Sequence, residues 1–247
     1  TRETLSGPLN DRVQVASFPV GDLEGTFAVR LVIAGLEPVS LGTLRLDRTP
    51  PAVTPRPIAP TSGRATVAWG QQDAGAGSDP HQPPAVEINT SPTGDASGAW
   101  RPFDEQSPMA GDIPHTAHTA TGDLGEGPHL VRVHVRDAIG NAGVRQLGTL
   151  LVDRTPPSIT GVSARAQAVD PRLSIVDVTA TVDDPGGAPS GIARVTVAPM
   201  GSPDSHDWAG RDGAPHPQGR YGAATPGAGV HVLVVRTWDH AGNRTES

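Results

Sequence analysis

The sequence contains few of the residue patterns that carry enzymatic chemistry. It has no cysteine, so it offers neither a thiol nucleophile nor a disulfide. It also has no serine nucleophile elbow, phosphate-binding glycine loop or paired-histidine zinc helix. His115 and His118 are three residues apart, and in a strand this spacing places them on opposite faces, where they cannot share a metal ion. The sequence therefore predicts that the chain is not an enzyme.

Aspartate is the residue type whose placement suggests metal chemistry. Carboxylate oxygens are hard ligands that suit Ca²⁺. Aspartate also closes turns by bonding nearby backbone N–H groups, so a purely structural role stays open. No other cofactor is predicted. The candidate ligands of a structural Ca²⁺, all near predicted domain boundaries, are Asp47, Asp153, Asp183, Asp184 and Asp239, and Asp137 lies in the same setting.

Composition argues against an enzyme with a large core and against a nucleic-acid partner. Glycine (30) and proline (26) exceed a fifth of the 247 residues, whereas aromatic residues make up 3%. The formal net charge is −7, and phosphate binding needs clustered cations. No apolar run reaches the length of about 18 to 20 residues that spans a bilayer.

A β-hairpin is predicted between residues 129 and 152. Valines alternate with Arg and His over residues 130–136, the period of a half-buried strand. Asp137, Gly140 and Asn141 then form a turn, and a second strand covers residues 146–152. The hairpin ends in Asp153-Arg-Thr-Pro156-Pro157, where two prolines cannot donate to further strand pairing.

The hairpin recurs along the chain. Residues 231–243 repeat the histidine, the alternating strand and the turn, with His231, Asp239, Gly242 and Asn243 in the places of His129, Asp137, Gly140 and Asn141. Residues 46–51 repeat the exit. The turn aspartates are 102 residues apart (137 to 239) and the exit aspartates 106 (47 to 153), the length of one β-sandwich domain.

This pattern resembles the tandem bacterial immunoglobulin-like repeat domains of secreted and cell-surface proteins. The resemblance rests on the Gly-x-His start at 127–129 and 229–231, the Asp-x-x-Gly-Asn turns and the Val-Asp-Arg-Thr-Pro-Pro exit. It implies an all-β fold of tandem sandwiches joined by short Pro-Pro linkers, and an extracellular or cell-surface location. Arrays of this kind sometimes stiffen their junctions with Ca²⁺. It also implies that His129 and His231 occupy a corner where a ring bonds back to the main chain.

The repeat predicts three units. Residues 1–49 form the second half of a domain, with strands at 12–18, 26–34 and 41–46; residues 50–156 form a complete domain; and residues 157–247 form a domain without its last strand. Two interpretations remain open: either the sequence is a window on a longer array, or subunits complete each other by strand exchange. The predicted partners are accordingly neighbouring domains of the same chain or of adjacent subunits.

The favoured function is a structural stalk or fibre segment of a secreted or surface protein, such as an adhesin. Stiff proline-rich linkers between repeated domains would hold a tip away from an anchor. The alternatives are a carbohydrate- or protein-binding module, an accessory region of a secreted enzyme, or part of a phage tail fibre. For a binding module, the candidate stacking residues are Trp100, Trp208 and Tyr221.

Overall fold

The computed structural model describes residues 20–170, 173–200, 206–208, 218–224 and 232–247. It describes no side chains for 166–170, 173–175, 206–208 and 218–224. All regular structure in these ranges is β-strand, with no helix. The predicted strand at 12–18 and the motif residue His231 lie outside the described residues, and no described helix could cross a membrane.

The described part of the chain begins with a two-stranded antiparallel unit, here called the first hairpin. Its strands are β1 (Gly25–Leu31) and β2 (Val39–Leu46). Its register shifts after Val29, which lies opposite Gly42, and Gly42 has a φ of 120°. The same irregularity recurs in the next unit, where Val131 lies opposite Gly148.

The central sandwich consists of seven strands in two sheets. One sheet has the order β3-β4-β7 and the other β6-β5-β8-β9, and all neighbours are antiparallel. The strands are β3 (Ala52–Pro55), β4 (Arg64–Gln72), β5 (Ala85–Asn89), β6 (Trp100–Pro102), β7 (Pro114–Ala120), β8 (Gly127–Arg136) and β9 (Ala142–Val152).

Alternation along the strands builds the core between these sheets. In β8, every second residue from Gly127 to Val135 is buried, because successive side chains in a strand point to opposite faces. Trp69 from one sheet and Ile88, Val131 and Leu150 from the other belong to a single buried apolar cluster. Each fully buried aliphatic side chain of this kind contributes about 1.5 to 3 kcal/mol.

The last sandwich repeats the same arrangement. Its sheets have the orders β10-β11-β14 and β13-β12-β15-β16, and Val178, Val182, Val195, Val197 and Val235 form its buried core. The strands are β10 (Ser158–Asp170), β11 (Leu173–Asp183), β12 (Ile192–Pro199), β13 (His206–Trp208), β14 (Gln218–Ala224), β15 (Leu233–Asp239) and β16 (Arg244–Glu246). Two sandwiches with the same strand order make this a chain of tandem immunoglobulin-like domains.

Two strand boundaries differ from the sequence predictions. β9 begins at Ala142, directly after the turn, because the ladder with β8 continues outward to Arg136 instead of stopping near residue 146. Residues after the last turn form β16, which pairs with β15 from Arg236 to Trp238. The described chain therefore contains a short final strand where the sequence predicted none.

Candidate metal centres at the two junctions

Two clusters of three aspartates lie where successive units meet. The first junction contains Asp47, Asp73 and Asp137, and the second contains Asp153, Asp184 and Asp239. In each cluster, one carboxylate oxygen from every residue lies within 4.8 Å of the others. Each cluster combines an aspartate that follows the last strand of one unit with two from the next unit: a loop aspartate, Asp73 or Asp184, and the first residue of the Asp-x-x-Gly-Asn turn, Asp137 or Asp239. The chain therefore builds the same polar site twice.

The exit aspartate of each junction bridges two units with its side chain. Asp153 Oδ1 accepts a hydrogen bond from Thr155 N at 3.1 Å, and Oδ2 accepts one from Ser190 N of the next unit at 2.8 Å. Asp47 does the same with Thr49 N at 3.0 Å and with Ala76 N. Bonds from the Thr49 and Ala76 N–H groups lower the pKa of Asp47, so it stays ionised.

The turn aspartate organises the Asp-x-x-Gly-Asn turn. Asp137 Oδ1 accepts bonds from the backbone N–H groups of Ile139, Gly140 and Asn141 at 2.6 to 3.0 Å. Gly140 has a φ of 104°, a conformation that favours glycine. Asp239 Oδ1 accepts the corresponding bond from Asn243 N at 2.8 Å.

The asparagine of each turn contacts the preceding unit. Asn141 Nδ2 donates to the main-chain carbonyl of Asp47 at 3.0 Å, and Asn243 Nδ2 donates to that of Asp153 at 2.9 Å. The same amide nitrogens also donate to Oδ2 of the turn aspartates, Asp137 and Asp239. Each amide thus uses one N–H on its own unit and the other on its neighbour.

The loop aspartate supplies a carboxylate oxygen without a partner. Asp73 Oδ1 accepts a bond from Gly75 N and Asp184 Oδ2 one from Gly191 N, both at 2.5 Å. The remaining oxygens, Asp73 Oδ2 and Asp184 Oδ1, are inaccessible to solvent and have no hydrogen-bond partner among the described residues. Burial, together with the neighbouring carboxylates of the same cluster, raises the pKa of both Asp73 and Asp184.

These clusters fit a hard divalent cation. None of the six aspartates forms an ion pair with any described arginine or histidine. Three carboxylates held together with no ion-pair partner among the described residues repel one another, and an unbonded buried oxygen raises the cost further. Ca²⁺ accepts six to eight oxygen ligands in flexible geometry, so carboxylates and nearby backbone carbonyls suit it.

Four of the five aspartates that the sequence predicts as Ca²⁺ ligands lie in the two clusters. Asp47 lies in the first cluster, and Asp153, Asp184 and Asp239 lie in the second. Asp183 lies outside both, and its Oδ1 accepts a hydrogen bond from Asp184 N at 3.0 Å. The sequence does not identify Asp73, because it lies in a loop rich in glycine and aspartate, where no motif distinguishes it. Asp137, which the sequence predicts as a turn residue, is also a cluster member.

The other exit residues fasten each linker to the unit before it. Arg154 donates to the carbonyls of Leu124 (3.1 Å) and Thr121, and its backbone N–H donates to Glu126 at 3.0 Å. In the first hairpin, Arg48 bonds Asp22 at 3.1 Å and Thr49 Oγ1 bonds Glu24 at 2.7 Å. The Asp-Arg-Thr motif therefore holds the preceding unit through Arg and Thr, and the following unit through Asp.

His129 lies inside the central sandwich and bonds to the main chain. Its ring is fully buried, with Nδ1 2.9 Å from Asn89 O and Nε2 2.8 Å from Gly125 O. The glycine two positions earlier, Gly127, has a φ of 136° and lies against the Pro92 carbonyl, where a β-carbon would overlap. This close approach explains why glycine precedes the histidine.

Among the candidate stacking residues, the structure describes the side chain of Trp100 alone. Trp100 is half-buried on the outer face of its sheet, and the guanidinium of Arg132 lies 3.8 Å from its ring centroid. Glu87 in turn accepts bonds from Arg132 (2.8 Å) and His134 (2.9 Å). Trp208 and Tyr221 lie in β13 and β14, and their side chains are outside the described part of the chain.

Comparisons with known proteins return structural likenesses alone. No family model matches the sequence, and no curated protein matches it. The fibronectin(III)-like modules of Clostridium thermocellum CbhA are 17% identical with a TM-score of 0.40, covering 79% of this chain and 90% of that one. The FN1–FN3 domains of chicken CNTN1 are 11% identical with a TM-score of 0.39, covering 90% and 76%.

A third similar structure is a tetra-tandem repeat from the extending region of a large adhesion protein. It is 17% identical with a TM-score of 0.32, and the match covers 91% of this chain and 55% of that one. At these scores the likenesses carry no argument about function, and the fold assignment rests on the strand order of the two sandwiches.

Proposed function

We propose that this chain is a structural spacer of an extracellular or cell-surface protein, in which Ca²⁺ bound at each junction stiffens a row of sandwich domains. The observation that carries the proposal is the repetition of one aspartate cluster at both junctions. Each cluster draws ligands from two successive units, so a bound ion would tie them together. The role is mechanical, and no catalytic step is assigned to any residue.

The linkers support the same role. Pro51 and Pro157, the second prolines of the two exits, are buried. Pro50 packs against Gly143 of the following unit, where a β-carbon would lie 3.0 Å from the proline ring. Consecutive prolines restrict φ and the residue before them, so the linker bends little. Strands of about 8 to 10 residues at about 3.3 Å per residue give each domain a length of about 30 Å.

A cation would supply a positive charge between the carboxylates of each cluster. A ligand that binds the folded state alone stabilises it by about 2.7 kcal/mol at one hundred times its dissociation constant. At the junctions this free energy opposes separation of the units as well as unfolding. Asp73, Asp184 and their cluster partners would hold the ion through carboxylate oxygens, and their mutual repulsion would disappear on binding.

Small-angle X-ray scattering in Ca²⁺ and in EDTA tests this proposal. We expect an extended particle with a well-defined maximum dimension in about 5 mM Ca²⁺, above the dissociation constants of about 0.1 to 1 mM that are typical of extracellular modules, and a broader distribution of interatomic distances in EDTA. The matched control is the Asp73→Asn/Asp184→Asn double variant, which should give the same profile in both buffers. A compact particle in Ca²⁺ would contradict the spacer role, and identical wild-type profiles would contradict the metal role.

A further inference from the structure

We infer that Asn141 and Asn243 set the angle between successive units, and that they do so without a metal ion. The inference deepens the proposed spacer function, because it identifies what orients the units before any cation binds. It rests on the amide bonds that cross each junction, to Asp47 O at 3.0 Å and to Asp153 O at 2.9 Å.

Each asparagine is held in position by its own turn. Asn243 N donates to Asp239 Oδ1 at 2.8 Å, and Asn243 Nδ2 donates to Asp239 Oδ2 at 2.7 Å. These two bonds to one carboxylate fix the side chain, so its second amide N–H is presented to the neighbouring unit in one direction. A donor that is ordered beforehand loses little conformational entropy when the units dock.

Two different loops of the following unit donate hydrogen bonds to the exit aspartate. Its main-chain carbonyl accepts from the turn asparagine, and its carboxylate Oδ2 accepts from the backbone N–H of Ser190, or of Ala76 at the first junction. One contact would leave the units free to rotate about it, whereas two contacts on separate loops fix the rotation. None of these four bonds requires a cation.

The second junction contains a further contact of the same turn. Ser62 Oγ of the central sandwich donates to the main-chain carbonyl of Ala241 at 3.2 Å. The backbone N–H of Ala241 in turn donates to Ser190 Oγ at 3.1 Å. The turn that carries Asn243 therefore contacts both the exit residue Asp153 and Ser62 of the preceding sandwich.

Only an amide fits this position among residues of similar size. Aspartate would place an acceptor against both a carbonyl and a carboxylate, and alanine would leave the exit carbonyl without its donor. Interfaces between domains of one chain are otherwise small and permit relative motion. Loss of the amide should therefore loosen one junction without unfolding either sandwich.

The test is a distance measurement by pulsed electron paramagnetic resonance on the spin-labelled chain. The chain has no cysteine, so labels enter only at introduced ones. The pair Gln146→Cys and Val162→Cys spans the second junction, and Thr43→Cys with Gln146→Cys spans the first; all three positions are exposed. We expect Asn243→Ala, in EDTA, to broaden the second distribution by about twofold or more and to leave the first unchanged.

Gly242→Ala is the matched control. Gly242 has a φ of 90°, and no atom lies within 4 Å of the place that a β-carbon would take, so the substitution strains the same turn but keeps the amide. We expect it to leave the distribution narrow. An unchanged width for Asn243→Ala, or equal broadening by Gly242→Ala, would overturn the inference. Neither result depends on Ca²⁺, so failure of the metal proposal would appear separately, as an absent calcium response in the scattering experiment.

Discussion

Gly75 lies directly against the carboxylate of Asp47, so a β-carbon at position 75 would overlap Asp47 Oδ2. The two residues belong to different units and are brought together only at the first junction. The absence of a side chain at position 75 lets the Asp73 loop close over the exit aspartate and bond it through Ala76 N.

Gly75→Ala should therefore loosen the first junction. We expect the alanine to displace Asp47, to weaken any Ca²⁺ binding there and to leave the second junction intact. Gly187→Ala is the control, since Gly187 lies in the corresponding loop of the last sandwich with no atom within 4 Å of a β-carbon position. Calcium binding measured by isothermal titration calorimetry distinguishes the two variants. An equal loss of Ca²⁺ binding in both would contradict the role of Gly75 at the first junction.

Asp184→Asn should have opposite effects with and without calcium. The pKa of Asp184 is raised by burial and by Asp153 and Asp239, so its ionised form destabilises the fold at neutral pH. Asparagine removes that charge and can donate to the neighbouring carboxylates. We expect stability in EDTA to rise by about 1 kcal/mol, and the calcium-dependent rise in Tm to shrink. Thermal unfolding in the two buffers measures both, and a loss of stability in EDTA would contradict the prediction.

Gly127→Ala should destabilise the central sandwich by about 2 to 4 kcal/mol. The substitution combines an unfavourable φ of 136° with overlap between the new β-carbon and Pro92 O. Gly25→Ala separates the two effects, because Gly25 occupies the same place in the first hairpin with a φ of 120° but open space around it. Chemical denaturation should give the larger loss for Gly127→Ala, and equal losses would contradict the role of the close contact.

His115 should make the central sandwich less stable at mildly acidic pH. Its ring is buried, stacks on Trp69 at 5.2 Å, and bonds Ser107 Oγ (2.8 Å) and Gly111 O (3.2 Å), an arrangement suited to neutral imidazole. Burial lowers its pKa below 6.5. Its contribution to stability is therefore complete above pH 6.5 and is lost as the pH falls from there through the lowered pKa.

His115→Gln should reduce this pH dependence. The control is His118→Gln, since His118 lies on the opposite face of β7 and bonds Thr66 Oγ1 at 2.8 Å. Denaturation curves collected from about pH 7.5 to 4.5 should show a shallower slope for His115→Gln than for wild type and the control. An unchanged slope in His115→Gln would contradict the assignment.

Local patterns in the sequence predict the architecture well. Alternation over 130–136 and the turn at Asp137 identify β8 and its connection, because period-two burial and turn chemistry are properties of a few adjacent residues. The repeated Asp-Arg-Thr-Pro-Pro exits also identify Asp47 and Asp153 as equivalent residues at successive boundaries.

The clusters themselves could be predicted only in part, since they form between distant segments. Asp73 and Asp184 occupy equivalent places, but their loops differ in length. The loop glycine whose carbonyl accepts a backbone bond from the Asp-x-x-Gly-Asn turn is Gly77 in one unit and Gly191 in the other. Spacing therefore does not align the two aspartates. The choice of Asp184 over Asp183 depends on the path of the chain just after β11 ends at Asp183, and two adjacent identical residues do not reveal that path.

The number of calcium ions bound per chain shows whether both junctions are cation-binding sites. Isothermal titration calorimetry should give two bound ions per wild-type chain, one in each of the Asp73→Asn and Asp184→Asn variants, and none in the double variant. Absence of binding at millimolar Ca²⁺, or a stoichiometry that neither substitution lowers, would contradict the account of the junctions as paired cation-binding joints.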